Sequence, residues 1–567
     1  MTVLRSIALR IRGGRADPWL LLALGLAVFL PGLGAHDLWN PDEPRYGEVC
    51  REMRESGDYL IPQLNGSTYT QKPPLMFWAI CAGAAVRGEL DATAVRWPSA
   101  AAGVGSLLVV YVMGLTLFGR RAARIAVLVA ASCVTLIQQG HAGRIDMLLT
   151  FLVLCGMLAW VRGYFLGRPS LYPWFFVAAG LATLAKGPVG LLPPLLAIVA
   201  FLALQRDRDE LRRLRIGRGL VIWAVIVMAW LLPALLHGGR EYFDEIVLRQ
   251  NVTRFVDPWH HFQPFYYYAY VAPMDFLPWT FFLPAGLAAW WTLPTGETRR
   301  RCTFILTWAA VTVLFFSVSP AKRGVYVLAL YPALALLLGA TLDRMASSWR
   351  AHAGNGTAPG RGWLAWPGAL LALSAAALTI VLPRIAARRP ETAPLGEDFP
   401  LMIAQTLAPL AAGATLAVLL LSGRRLIAAV AALSGGMIVT SSLVFTLVLP
   451  RVDLVKSARP LADIIRAEAA PGEPIGVHPR LDPAFLFYTE RRLEPLERPD
   501  ELAAFARRPG RVWLLAERDS LARLGEPLPL VEVARDNDLR QGYILLTSPS
   551  EEAAGDAPGR VTRDSRE

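Results

Sequence analysis

Cysteine and histidine are scarce in this 567-residue chain, with five and seven copies. Cys133, Cys155 and Cys302 fall in apolar runs, and only Cys50 and Cys81 sit where they could pair. An odd, scattered set of cysteines is no disulfide framework. Charge is thin as well: 18% of the residues are charged, against about 25% in an ordinary soluble chain. No phosphate-cradling loop of the G-x-x-x-x-G-K-[ST] type is present, and no internal repeat is evident. These absences argue against a secreted disulfide scaffold, a charged disordered protein and a soluble nucleotide-driven enzyme. The missing repeat weakens an inverted-repeat transporter.

What is there is apolar surface. Hydrophobic residues make up 54% of the chain and the mean hydropathy is +0.40, the signature of a polytopic α-helical membrane protein. The formal net charge is +12, but the basic residues punctuate hydrophobic runs instead of forming one block. Basic residues beside spans fix orientation, so nucleic acid is not a partner and membrane lipids are.

A hydrocarbon core of about 30 Å needs about 20 apolar residues per helix. A first run from Pro18 to Gly34 follows Arg5, Arg10, Arg12 and Arg15, and further runs lie near 98–118, 125–140, 147–163, 172–186, 187–204, 219–237, 273–292, 302–318, 325–342, 363–382, 401–421 and 426–449. The stretch 73–86 is apolar but short and opens on Pro73-Pro74. Were it a span, the arginine clusters at 120–124 and 206–218 would face outside. The positive-inside rule therefore makes it an interfacial or re-entrant helix. The expectation is about thirteen transmembrane helices, with the N-terminus cytoplasmic and the C-terminus outside.

The outer side then receives a first loop at 35–97, a loop at 237–272, short links around Asp146, Lys186 and Lys322, and the tail after Arg451. The tail reads as a helical stretch at 454–469, β-like runs at 474–478, 484–489, 511–517 and 543–547, and another helical stretch at 500–508. That pattern predicts a small α/β domain over 450–547, after a membrane domain over 1–449, with a disordered end at 548–567.

Chemistry gathers on that side. Trp39-Asn40-Pro41-Asp42-Glu43-Pro44-Arg45-Tyr46 places two adjacent carboxylates and an arginine beyond the first span. The plain reading is a helix start, with Asp42 as cap and Pro44 in the first turn. Gln71-Lys72-Pro73-Pro74 puts a lysine at the entry of the interfacial helix, where it could equally snorkel at the surface. Arg144 and Asp146 stand between two spans. The short link Ser319–Tyr326 carries Lys322 and Arg323 side by side, and such crowded cations suit a phosphate, which arginine grips bidentately and lysine meets as a point charge. His260 and His261 near Asp257 could ligate a metal. Tyr266–Tyr268 read as an aromatic belt.

The run Trp39–Tyr46, then Arg51-Glu52-Met53, Ser56-Gly57-Asp58 and Gln71-Lys72-Pro73-Pro74, resembles the aminoarabinose transferase family, lipid-linked-sugar glycosyltransferases of bacterial inner membranes related to protein O-mannosyltransferases. The resemblance implies a C-type glycosyltransferase fold with interfacial helices in a catalytic first periplasmic loop and a periplasmic α/β tail. It implies Asp42 as the essential carboxylate with Glu43 as its partner, and Arg45, Lys72, Lys322 and Arg323 holding the donor phosphate. Tyr46, Arg144, Asp146, Tyr326 and Arg254 would line the pocket, with Asp146 orienting Lys72. His260 and His261, with Gln71, match the family's metal ligands, but Gln71 replaces the usual glutamate with a poorer ligand. No cofactor is required, and a divalent ion (Zn, Mg or Mn) is the one candidate.

The expected reaction moves a 4-amino-4-deoxy-L-arabinose-like sugar from undecaprenyl phosphate to lipid A at the periplasmic face, with inversion. The alternatives are a protein or another glycan as acceptor in a mannosyltransferase-like reaction, or a transporter or lipid flippase. A transporter should carry charge in mid-span, whereas here the charges gather at outer helix ends.

Overall fold

The computed structural model describes residues 17–253, 262–352, 360–524, 527–536 and 542–549. Its membrane part is a bundle of helices in which each of the thirteen apolar runs is largely helical. Among the described residues eight helices are long and apolar enough to cross a membrane, or nine if one bent pair counts as a span. The helices that position the site come early: α1 (Asp17–Phe29), α2 (Asp42–Ser56), α3 (Leu75–Arg87), α4 (Ala92–Leu117), α5 (Arg120–Ala131), α6 (Val134–His141), α7 (Ile145–Phe165) and α8 (Tyr172–Lys186).

Two apolar runs are not continuous helices. The run 125–140 breaks between α5 and α6 with a bend of 63°. Ser132 stands at the break, receives the indole N–H of Trp279 at 3.0 Å and donates to the Leu128 carbonyl at 2.5 Å. The run 273–292 is split by a short tight turn, Trp279–Phe282, after the Leu277–Pro278 bond. Both breaks meet where the Val134 N–H finds the Leu277 carbonyl at 3.0 Å, so the open backbone groups satisfy one another.

The loop at 35–97 carries α2 and α3, a two-stranded ribbon, β1 (Gln63–Leu64) with β2 (Ser67–Thr68), and little else before α4. Asp42 does not cap α2: the N-cap position is Pro41 and no side chain bonds there. Asp42 and Glu43 instead occupy the first turn, where a carboxylate is favoured by the helix dipole. α3 is a helix over the expected stretch, at 13 residues too short to cross a membrane upright, and buries Met76, Phe77, Ile80 and Ala84. Cys50 and Cys81 remain free thiols, with Cys81 Sγ donating to the Cys50 carbonyl at 3.6 Å.

Beyond the last long helix, helices Leu449–Lys456 and Arg459–Glu468 replace the single expected stretch, separated at Ser457. A mixed five-stranded sheet follows in the order β4-β3-β5-β7-β6, built from β3 (Ile475–His478), β4 (Glu494–Pro495), β5 (Trp513–Glu517), β6 (Val531–Arg535) and β7 (Tyr543–Thr547). β3 pairs in parallel with β4 and β5, while β7 is antiparallel to β5 and β6. The segment expected as a strand at 484–489 is a helix, Pro483–Thr489. Asp482 caps it through the Ala484 N–H at 2.8 Å, with Pro483 in the first turn, signals that outweigh the apolar run. The edge strand β6 was not expected; its residues are mostly exposed. Residues 550–567 of the expected disordered end lie outside the described residues.

The sheet region and the first loop share one apolar core. Val49, Met53 and Phe77 from the loop are buried together with Ile465, Phe485 and Trp513. Gly47 lets this happen, because a side chain there would meet the Phe487 ring at 2.6 Å.

Candidate active site

Residues 36–43 are anchored on two sides. From the C-terminal region, Asp453 accepts the Asp37 N–H at 2.8 Å and the Trp39 indole N–H at 2.7 Å. Tyr488 receives the Leu38 N–H at 2.6 Å, and Asp482 accepts both N–H bonds of the Asn40 amide at 2.7 and 2.8 Å. From the bundle comes Arg96 of α4, with no exposed side-chain surface. It donates to the carbonyls of Leu33, His36 and Asp37 at 2.8–3.1 Å.

Arg96 also grips Glu43 with a two-pronged contact, Nε to Oε1 at 2.8 Å and a terminal N–H to Oε2 at 2.9 Å. Glu43 further accepts the Gly143 N–H at 2.7 Å and the Trp39 N–H at 3.3 Å. Burial pushes the Glu43 carboxyl up, but the Arg96 guanidinium and these bonds outweigh it and hold it below the ordinary range. Gly143 must be glycine-like in bulk here, since an added Cβ would lie 2.6 Å from Val95 Cγ1. Glu43 is thus a fully occupied, buried carboxylate tying the loop, α4 and the α6–α7 link together.

Asp42 is its opposite. Three guanidinium groups approach its carboxylate without a hydrogen bond: Arg144 at 3.4 Å, Arg323 at 3.8 Å and Arg45 at 3.9 Å. The Arg144 Nε is buried and makes no hydrogen bond. The side chain of Asp42 is 15% exposed and that of Arg323 34%, so the cluster opens to a space that solvent or a ligand can enter.

Asp146, buried in the first turn of α7, pairs with Lys186 at the end of α8. The Lys186 ammonium also lies 4.6 Å from the centre of the Tyr326 ring, an attractive cation–π arrangement. The expectation that Asp146 orients Lys72 is therefore corrected: its partner is Lys186. Lys72 is half-buried at the entry of α3, beside an exposed Gln71. Tyr46 packs edge-on against Phe77 at 5.3 Å and is buried, a wall more than a reactive group.

Lys322 departs from its expected role as well. It is 3% exposed, and its ammonium donates to the carbonyls of Gln263 at 3.0 Å and Ser319 at 2.6 Å. Burial holds its pKa down. With the Gln263 N–H on the Pro320 carbonyl at 3.1 Å and the Tyr268 hydroxyl on the Arg323 carbonyl at 3.2 Å, Lys322 fastens the link that presents Arg323. Arg254, His260 and His261 lie outside the described residues. Among the described residues no three His, Cys, Asp or Glu side chains come together as a metal site.

Two site residues escaped the sequence reading. Arg96 had a signal: a lone arginine near the start of an otherwise apolar helix asks for a buried partner. Lys186 was noted only as a link residue, and nothing local distinguishes it from a surface lysine.

Residues 71–236 match the family model described as dolichyl-phosphate-mannose-protein mannosyltransferase, a stretch holding Lys72, Arg96, Arg144, Asp146 and Lys186. An undecaprenyl phosphate-alpha-4-amino-4-deoxy-L-arabinose arabinosyl transferase of Pseudomonas fluorescens is 32% identical over 59% of this chain and 60% of its own length. The protein of that name from Pseudomonas aeruginosa strain UCBPP-PA14 is 31% identical over 64% and 66%. The chain is related to the aminoarabinose transferases. It spans about three fifths of the length of the curated relatives it matches, 59% for that of Aeromonas salmonicida. The fold extends further than the sequence likeness. The crystal structure of ArnT from Cupriavidus metallidurans bound to undecaprenyl phosphate superposes with a TM-score of 0.81 at 23% identity, over 95% of this chain and 99% of that one. Its apo form gives 0.78 over 94% and 98%. This chain therefore shares the fold of that crystal structure over 95% of its length.

Proposed function

We propose that the protein is an inverting glycosyltransferase that moves a 4-amino-4-deoxy-L-arabinose-like sugar from undecaprenyl phosphate to lipid A at the periplasmic face of the bacterial inner membrane. One observation carries the reading: the Asp42 carboxylate lies among Arg45, Arg144 and Arg323 at 3.4–3.9 Å. Beside it stands the Asp146–Lys186 pair. Four cations and two carboxylates leave an excess of two positive charges, and Glu43 is already neutralised by Arg96. An unbalanced cation group at an outer helix end is costly unless an anion joins it, and a lipid-linked phosphate supplies that anion.

In the proposed reaction the acceptor oxygen attacks C1 of the sugar as the bond from C1 to the phosphate oxygen breaks. The bonding pair leaves with the polyprenyl phosphate. The arginines and Lys186 stabilise the charge that grows on that oxygen, which is where fixed cations contribute most. If the acceptor is a hydroxyl, Asp42 takes its proton as general base. If it is an ionised lipid A phosphate, Asp42 orients it and faces the positive charge developing at C1. The energy comes from the activated donor.

The finer architecture belongs to the same proposal. Thirteen membrane crossings over 1–449, a cytoplasmic N-terminus, a catalytic loop at 35–97 and a periplasmic α/β domain at 450–547 put Asp42, Lys72 and Arg323 on one side of the membrane. A metal, assigned to His260, His261 and Gln71, is tested by metal analysis of the purified protein. A second reading, with a protein hydroxyl as acceptor, is supported by the match to the protein mannosyltransferase family model.

Protein reconstituted in proteoliposomes with undecaprenyl-phosphate aminoarabinose and lipid A should transfer the sugar. Asp42→Asn and Lys72→Ala should abolish transfer at normal membrane levels. Retained turnover in both would sink the assignment. An unchanged lipid A mass spectrum on deleting the gene would move the acceptor to protein or another glycan.

A further inference from the structure

Two nucleophilic side chains in the loop at 35–97 take no part in the proposed transfer. Cys50 lies in the middle of α2 and Cys81 in α3. They are 31 residues apart in sequence, yet the Cys81 Sγ donates to the Cys50 carbonyl at 3.6 Å. Both are buried, Cys50 with no exposed surface and Cys81 with 6%. The two thiols also hydrogen-bond to each other, with unequal effects. That contact, and burial behind it, pushes the Cys50 thiol up. The same contact holds Cys81 below the ordinary thiol value against its burial, and the Arg54 charge acts in the same direction. Cys81 is therefore the thiol that ionises first, and the thiolate is the reactive form. Cys133, Cys155 and Cys302 pack instead in the core of the membrane bundle.

Burial shuts an oxidant out of the finished fold, but not out of the growing one. Cys50 and Cys81 share their core with Ile465, Phe485 and Trp513 of the C-terminal region. That region is synthesised long after the loop, and N-terminal parts of a chain fold first. The pair is open to reaction until the C-terminal region docks.

We propose that Cys50 and Cys81 become a disulfide in the assembled protein, a covalent brace between α2 and α3. This rests on the reading that residues 35–97 face the periplasm, a compartment where disulfides form and persist. The oxidant is the protein disulfide of a dithiol oxidase. The Cys81 thiolate attacks one sulfur of that disulfide, giving a mixed disulfide and one departing thiolate. The Cys50 sulfur then attacks Cys81 Sγ and expels the second. Two electrons pass from the pair to the oxidase, and the two thiol protons end on its reduced sulfurs. The bond closes a loop that carries the β1–β2 ribbon and Lys72, and so fixes the entry of α3 against the helix that bears Asp42 and Arg45. It stabilises the fold by restricting the unfolded loop.

The bond is read directly. Cells making the full-length protein are quenched in acid, and the denatured, unreduced protein is alkylated with N-ethylmaleimide and digested for mass spectrometry. Almost all of it should carry a peptide pair linked from Cys50 to Cys81, with Cys133, Cys155 and Cys302 alkylated. Prior reduction should open Cys50 and Cys81 to the reagent as well. The placement of the loop is read separately, from Ser56→Cys at the exposed end of α2, made in the Cys50→Ser/Cys81→Ser variant and treated in spheroplasts with a membrane-impermeant maleimide. If that position labels and Cys50 and Cys81 are nonetheless alkylated without reduction, the pairing is overturned. If it labels only after detergent opens the membrane, the periplasmic placement fails and takes the proposal with it. Cys50→Ser, Cys81→Ser and the double variant should lower the thermal midpoint by one and the same amount, since losing either end loses the bond. Losses that add up across the two positions would show two independently packed thiols and overturn the brace.

Discussion

Asp42 and Glu43 are neighbours in sequence, equal in charge and both in the first turn of one helix, yet the fold treats them as opposites. Glu43 has both oxygens occupied, by a buried arginine and by two backbone N–H groups. Asp42 has three arginines within 3.9 Å and a hydrogen bond from none of them. A carboxylate that is saturated contributes geometry, and one that is surrounded but unsaturated keeps the capacity to react. Successive residues on a helix point about 100° apart, so a single step in sequence separates the interior from the open space.

The sharpest test of that contrast is Asp42→Asn. Transfer should fall by about 10²–10⁴-fold, the usual worth of a positioned general base, with the thermal midpoint nearly unmoved. A large drop in the midpoint would make Asp42 a second structural carboxylate. Arg96→Met probes the other side. Leaving Glu43 buried without its cation should cost about 3–5 kcal/mol, read as a large fall in the thermal midpoint in detergent. The pair Glu43→Gln with Arg96→Met should cost less than Arg96→Met alone.

The pH response separates the two sides next. Burial first, and then the Arg96 charge, lowers His36 from 6.5 to about 4. Below pH 6.5 the unfolded chain takes up a proton that the folded chain refuses until about pH 4. Stability should therefore fall as the pH drops through that window, by at most about 3 kcal/mol. Thermal midpoints measured from pH 7.5 to 4.5 should fall less in His36→Asn than in the wild type. The smallest effect is expected for Arg323→Lys, which keeps the charge but loses the planar fork. Transfer should drop about 10-fold, with donor KM rising more than kcat falls; an unchanged donor KM would remove Arg323 from the phosphate.

Much of this was legible in the chain. The apolar runs gave the helices, the arginine distribution gave the expected topology, and the turn Trp39–Tyr46 drew attention to Asp42. The short helix expected over 73–86 forms at Leu75–Arg87, where the apolar run and the Pro73-Pro74 start put it. What stayed hidden were partnerships over long sequence distance. Asp146 looked like a partner for Lys72, but α7 and α8 lie side by side and bring Lys186 to it. Lys322 looked like a phosphate ligand because it stands beside Arg323, yet successive residues in an extended link face opposite ways. One cation turned inward to carbonyls and the other turned out to Asp42. The helix at Pro483–Thr489 was read as a strand over 484–489 because so short and largely apolar a run suits either, and the Asp-Pro start that decides it was passed over.

Composition and periodicity by themselves determined that this chain is a helical bundle with an apolar exterior, since burying backbone polar groups in lipid leaves few other solutions. They also singled out the loop that carries Asp42 and Glu43. Only the tertiary structure decided what each charge does. A carboxylate becomes a strut or a reactive group according to how many donors the fold brings within hydrogen-bond reach. Those donors come here from residues 53 and 100 positions away, a distance over which no local pattern carries information.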